Sequence, residues 1–430
     1  MDGALEKRRA AVPRQRGGDP ARQAQPARPA QLGHQDALDW IRGLASIGVV
    51  TYHVAGTTGL VLQDTLPGRL FSHGQIRVPI FFALSGLLLY RGWARATLLD
   101  DPPADARRYF VRRALRILPA YWLVVFVALI SFHQQHIDSQ WTWVRFLFFL
   151  QNYDAHPWWN LPGPRGMGQL WSLVVEASFY LLLPVIGIAI GWLVRRGRTG
   201  GRVEVRAKRL LVIFGALIVV SFAYTAWIFT PGHHLVMELW LPRSLCWFAL
   251  GMAICTVGVA AGASDGWPRR VREVLGNRWW WLVAAAAYFL TTTDIVGESV
   301  LSLTRPVKDT LIENTLFLIC VAFILAPAAY LPTRHREFGD TPINRVLVFL
   351  AKISYGTFLW QFVVIDGFYA VTGRPMLAGD FWAVLGWTLP PTLVCATISY
   401  YLIERPALRL RFLFDRPPTP AEPAAESPRS

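Results

Sequence analysis

Long apolar runs separated by short charged clusters pattern this chain. Residues 43–63, 210–237, 244–264, 314–333 and 381–403 contain no Lys, Arg, Asp or Glu, and 169–194 contains one, Glu176. A helix needs about 20 apolar residues to cross a bilayer core. Four shorter runs, 78–90, 117–132, 279–293 and 353–365, extend readily through their flanks. The pattern predicts an all-α, polytopic membrane bundle of about ten spans over 38–412. The run 146–153 is too short to cross and reads as an interfacial piece.

Composition agrees with that reading. Apolar residues make up 53% of the 430 and charged residues 17%, against roughly 25% charged in soluble domains. The chain also carries 19 Trp and 25 Phe. A soluble fold could not hide so many large apolar groups with so few charges. Cys246, Cys255, Cys320 and Cys395 all lie in apolar runs without a CxxC pair, so no disulfide framework and no metal site is expected. The net charge of +15 comes in clusters between spans, which argues against a nucleic-acid partner and for a lipid bilayer. Counted segment by segment, 33 Lys and Arg fall on one side of the ten spans and 7 on the other. The positive-inside rule then puts both termini in the cytoplasm; a multi-pass plasma-membrane location is expected. The Arg-, Pro- and Gln-rich segment 1–37 and residues 413–430 read as disordered tails. No cleavable leader is expected, because the first apolar run starts near residue 40.

Ionisable side chains inside spans are costly and point to function. In LDWIRGLASIGVVTYH, Arg42 and His53 are eleven residues apart, three turns plus about 20°, so they share a helix face about 16 Å apart. Asp39 lies on the same side. This stripe suits a long anionic ligand; a snorkelling Arg and a His satisfied by a neighbouring helix are the plainer alternative. Ser85 and Gly86 fall near mid-membrane, and Gly86 reads as a helix contact. Arg113 and Arg116 are neighbours on one helical face and suit phosphate recognition, whereas Arg107, Arg108 and Arg112 read as headgroup anchors. Gln169, Ser172, Glu176 and Tyr180 repeat as one polar stripe. Glu176 is expected at the depth of His53, as a catalytic partner, a proton relay or a buried helix-to-helix hydrogen bond. Gln361 falls in the outer half of the ninth span. Glu404–Pro406 reads as an inner cap in which Glu404 pairs with a nearby Arg. Trp158 and Trp159 fit a stacking platform and an interfacial belt equally well.

These blocks resemble the acyltransferase-3 family of membrane O-acyltransferases, whose signature is a basic residue, ten residues, then His. Arg42 and His53 match it. FFALSG, RRALRILPAYW, LWSLVVEASFYLLLP, ISYGTFLW and IERP resemble later family blocks in the family's order, and the resemblance covers about residues 38–410. It implies transfer of an acyl group, often acetyl, from a coenzyme A-type donor to a hydroxyl of a cell-surface glycan, lipid or metabolite. Acetyl-CoA or another acyl-CoA would be a co-substrate; no permanently bound cofactor is implied. Carried over, His53 matches the catalytic His, Arg42 its basic partner, Arg113 and Arg116 the paired-Arg donor motif, and Glu176 the acidic residue of the fourth-span block. Many members have His where this chain has Gln361, which leaves that position a hydrogen-bonding role. A hydrolase-like C-terminal domain that some members carry is not expected here.

Acyl transfer to an alcohol needs a base, a donor held in line and stabilisation of the developing oxyanion. His53 is expected to be the base, oriented by Glu176, with an acyl-His intermediate left open. Arg42, Arg113 and Arg116 are expected to hold the donor, with Asp39, Ser85, Ser172 and Gln361 supporting. A proton-coupled transporter using a His/Glu relay is the alternative, although no repeated halves are visible.

Overall fold

The computed structural model describes residues 36–160, 162–196, 202–230, 234–296, 306–331 and 341–414. The tails expected at 1–37 and 413–430 lie outside these, apart from 36–37, which open the first helix, and 413–414. The described chain is helical, without a strand among the described residues. Ten helices coincide with the ten apolar runs: α1 Asp36–Thr57, α2 Arg77–Leu89, α3 Ala106–Phe132, α4 Leu170–Arg195, α5 Val203–Ile228, α6 Leu241–Ala261, α7 Trp280–Thr291, α8 Val307–Tyr330, α9 Pro342–Thr372 and α10 Phe381–Ser399. Among the described residues, seven helices are long and apolar enough to cross a membrane; α1, α2 and α7 do not meet those limits. Both α2 and α7 are short, at 13 and 12 residues. The run 210–237 does not stay helical to its end. Its helix stops at Ile228, because Pro231 and Gly232 interrupt the apolar sequence. The run 146–153 supplies the end of a short helix, Gln140–Leu147, and a 3₁₀ turn, Gln151–Tyr153.

Lipid tails are as apolar as Leu, so bundles of this kind close through small residues and polar links. A Cβ on Gly86 or Gly251 would collide with the backbone of Phe248 or of Ala83 and Leu87, so α2 and α6 touch backbone to backbone. Gly86 is thus a helix contact, as its sequence context implied. Gly43 serves the α1–α9 seam in the same way, with Leu347 O only 2.9 Å from where a Cβ would stand.

Three hydrogen bonds fix the relative direction of α1 and α9. Trp40 Nε1 donates to Asn344 Oδ1 at 2.8 Å near their starts. His53 meets Gln361 further along, and Tyr369 OH donates to Thr57 O at 3.0 Å near their ends. The two helices therefore run parallel. In contrast, α4 runs against them: Gln169, just before its start, donates to Leu359 O at 2.7 Å, while Tyr180, further along, lies beside Arg113 near the start of α3. Together α1, α2, α3, α4 and α9 enclose the polar interior.

Candidate active site

A cavity of about 570 Å³ opens between these five helices and the segment that follows α10, within the roughly 300–1,000 Å³ usual for small-molecule sites. Seven of the nine residues singled out from sequence line it: Asp39, Arg42, Ser85, Arg113, Arg116, Ser172 and Glu176. Arg112, Lys352 and Arg411 line it too. Exposure of Arg112 and Lys352 shows that it reaches the surface at that end. Six cationic side chains thus face two carboxylates, an environment for a polyanion.

The cations differ in their engagements. Arg42 makes no ion pair or hydrogen bond with a described residue. Arg113 stands 6.0 Å from the Tyr180 ring centroid, and its Nε is buried without a partner. Arg116 stands 5.9 Å from the Tyr355 ring and 3.8 Å from Glu404 Oε2. Glu404 ends a π-helical turn, Tyr400–Glu404, that follows α10. Neither of its buried carboxylate oxygens accepts a hydrogen bond among the described residues. The expected inner cap is therefore an inward-aimed carboxylate that shares Arg116 with the cavity. Arg112, expected to anchor headgroups only, also lines the cavity.

The geometry departs from two expectations. Glu176 was expected to orient His53 from the same depth. Instead His53 Nδ1 lies 2.9 Å from Gln361 Oε1, and Gln361 is fully buried. The reason is axial. Gln169 hydrogen-bonds to Leu359 O, two residues before Gln361, so the start of α4 is level with His53. Glu176, seven residues on, then lies about 10 Å nearer the arginine end. There it accepts hydrogen bonds from Ser85 Oγ and from Tyr180 OH. Ser172 spends its hydroxyl on Gln169 O, one turn back, at 3.1 Å.

Second, His53 and Gln361 do not line the cavity. Its lining reaches Val49 and Phe358, about one turn below them on the same helices. The His53 ring packs at 4.5 Å from the Phe362 ring and 5.3 Å from the Tyr52 ring. It thus faces the bundle interior.

Gln361 also determines which imidazole nitrogen is free. Its Nε2 donates to Phe358 O at 3.0 Å, which turns Oε1 toward His53. An amide oxygen can only accept, so Nδ1 carries the proton and Nε2 keeps its lone pair.

Sequence reasoning missed several residues. His73 Nδ1 pairs with Glu313 Oε1 at 2.7 Å, both buried; His73 lies outside every apolar run and Glu313 just before one. Arg77 entered only the charge census, yet it packs against Gly48 of α1. Asp366, buried on α9, accepts from Gly166 N at 2.5 Å and fixes a turn in which Gly166 has a φ of 76°, a left-handed value suited to glycine. An intramembrane carboxylate was a usable signal for Asp366. Trp158 and Trp159 are half-buried, and Trp158 stacks on His136 at 3.8 Å; both belong to a packed aromatic cluster.

The described chain is thus a helical bundle with a cationic cavity whose lining ends about one turn short of a hydrogen-bonded imidazole. The family model described as an acyltransferase domain, acyltransferase-3, matches residues 35–403, and the chain belongs to this family. Three relatives carry related names. Peptidoglycan O-acetyltransferase OatA of Listeria monocytogenes is 24% identical over 399 residues, covering 88% of this chain and 56% of its own. A Bacillus subtilis protein provisionally named a peptidoglycan O-acetyltransferase, YrhL, is 24% identical over 399 residues, covering 86% and 54%. A provisionally named acetyltransferase of Acidianus two-tailed virus is 24% identical over 338 residues, covering 78% and 84%. The chain spans about half the length of the two bacterial relatives. No solved structure matches it.

Proposed function

We propose that the protein is a plasma-membrane O-acyltransferase that moves an acyl group, chiefly acetyl, from a coenzyme A-type donor to a hydroxylated acceptor. The names of its bacterial relatives favour a glycan such as peptidoglycan as acceptor; a lipid or metabolite hydroxyl would meet the same chemistry. One observation carries the reading: a cavity rimmed by six cationic side chains runs toward an imidazole whose tautomer is set by Gln361. The family assignment leaves the proton-coupled transporter without support.

In this reading all ten helices cross, both termini are cytoplasmic and the arginine end faces the cytosol. The parallel course of α1 and α9, and the opposed course of α4, support that alternation. Donor phosphates bind Arg113 and Arg116 as charge-assisted pairs, and Arg42 holds the donor where it enters. The acyl-bearing arm extends along α1 past Ser85, Tyr180 and Glu176, whose linked hydroxyls and carboxylate hold the tunnel wall. Passage between Val49 and Phe358 then brings the thioester to His53. His53 Nε2 takes the proton of the acceptor hydroxyl as its oxygen attacks the thioester carbon, and returns it to the departing thiolate.

Purified protein in detergent, given labelled acetyl-CoA and a muramyl glycan, should transfer label and release coenzyme A. His53→Ala should lose transfer by at least 10³-fold, of the order seen for loss of a general base, while still binding coenzyme A. Full transfer by His53→Ala would overturn the mechanism.

A further inference from the structure

Beyond the donor cavity, one cation stands apart. Arg77 opens α2, and its aliphatic stem and Nε lie against Gly48 of α1 so closely that a Cβ there would displace them. Its Nη1 donates to Gly74 O at 2.7 Å. A guanidinium has five N–H donors, and this is the one hydrogen bond Arg77 makes among the described residues. It has no ion-pair partner among them. The Tyr52 ring, which lies against Gly74 beside this guanidinium, stands 5.3 Å from the His53 ring.

The seam that holds Arg77 is at the end of the tunnel. Val49 and Val78, the residues next to Gly48 and Arg77, both line the cavity's far end. On α2, Arg77 shares a face with Phe81, Ser85 and Leu88, by helical spacing, and those three line the cavity. The turn beneath Arg77 is itself pinned. His73, the residue before Gly74, is held by Glu313 of α8 at 2.7 Å, and the Tyr52 ring closes over Gly74. A cation at the head of α2 is thus held one aromatic ring away from the imidazole, without an ion-pair partner among the described residues.

We propose that Arg77 is the oxyanion-stabilising residue of the transfer, an inference that rests on His53 being the base. The acceptor oxygen bonds to the thioester carbon, its proton passes to His53 Nε2, and the carbonyl π pair moves onto oxygen. The unengaged N–H groups of Arg77 hold that oxyanion. Collapse restores the carbonyl and breaks the C–S bond, and the thiolate takes the proton from His53, yielding ester and free coenzyme A. The negative charge then forms between two cations, Arg77 and the transient imidazolium, in a site where preorganised charge acts strongly.

Arg77→Gln and Gly48→Ala test this from two directions: the first removes the cation, the second moves it with a single methyl. Donor hydrolysis and acceptor transfer are measured separately, and coenzyme A binding reports a folded protein. Both variants should bind coenzyme A as the wild type does. Arg77→Gln should lower kcat for hydrolysis and transfer alike, by about 10²–10³-fold, the range for loss of one oxyanion donor, with donor KM unchanged. Gly48→Ala should lower both in the same sense. Arg77→Gln with unchanged kcat and a raised acceptor KM would overturn the proposal, making Arg77 a binding site for an acidic acceptor. Wild-type kcat in a variant that binds coenzyme A would also overturn it, as would loss of coenzyme A binding in both, which would make Arg77 structural. His53→Ala as a control separates the two readings: an inactive His53→Ala beside a fully active Arg77→Gln leaves the base in place and removes only this inference.

Discussion

The hydrogen bond between Gln361 and His53 allows a quantitative test, because one side chain performs a task separable from charge and from donor binding. Gln361 Oε1 accepts from Nδ1 at 2.9 Å, and its amide nitrogen is occupied by Phe358 O. Gln361→Leu keeps similar bulk at a fully buried position and removes the acceptor. The Nδ1–H tautomer then loses its side-chain acceptor, and a buried donor without an acceptor costs about 1–3 kcal/mol. At about 1.4 kcal/mol per factor of ten, the population presenting a basic Nε2 falls such that kcat drops by about 10- to 100-fold. The donor KM should hold, because no arginine contact changes. Gln361→Glu supplies a carboxylate that also accepts from Nδ1–H, and it should keep kcat within about tenfold of wild type by the same arithmetic. The assay is initial-rate acetyl transfer at saturating acetyl-CoA, with coenzyme A binding measured in parallel. If Gln361→Leu turns over within twofold of wild type while His53→Ala is inactive, the tautomer is set elsewhere and the argument fails.

Two further outcomes follow from the same geometry. Arg113→Ala removes a cavity cation whose Nε is otherwise unsatisfied; losing one charge-assisted phosphate contact, worth about 1.5–3 kcal/mol, should raise donor KM by about 10- to 100-fold with little change in kcat, and an unchanged coenzyme A affinity would refute the donor role. Gly251→Val pushes a side chain into the Ala83 backbone where α2 and α6 touch, and should lower the detergent-state Tm in line with an overpacking cost of about 1–3 kcal/mol or more; a wild-type Tm would mean the seam can open.

How much of this was legible depends on the range of each signal. Helical periodicity is local, so the sequence could put Arg42 and His53 on one face and gather seven of the nine marked residues on one cavity. Relative depth between helices is not local. Glu176 could be placed beside His53 only by assuming that α4 begins at the membrane surface; Gln169 and Leu359 show that it begins level with the imidazole. The same limit hid His73 and Glu313, which are 240 residues apart in the chain and become a pair only when α8 packs beside the turn before α2. Arg77 was obscured for a different reason, since a loop cation at the head of an apolar run is indistinguishable by composition from an anchoring one.

The departure at position 361 then gains a physical meaning. A His there would offer either a donor or an acceptor to His53, depending on its own tautomer. The amide at this position offers only an acceptor, because its nitrogen is held by Phe358 O. Gln361 therefore trades titratability for a fixed hydrogen-bond polarity. In the proposed mechanism one imidazole works with the cavity arginines and Arg77, so transfer would depend on where charge is held more than on how many groups can carry a proton.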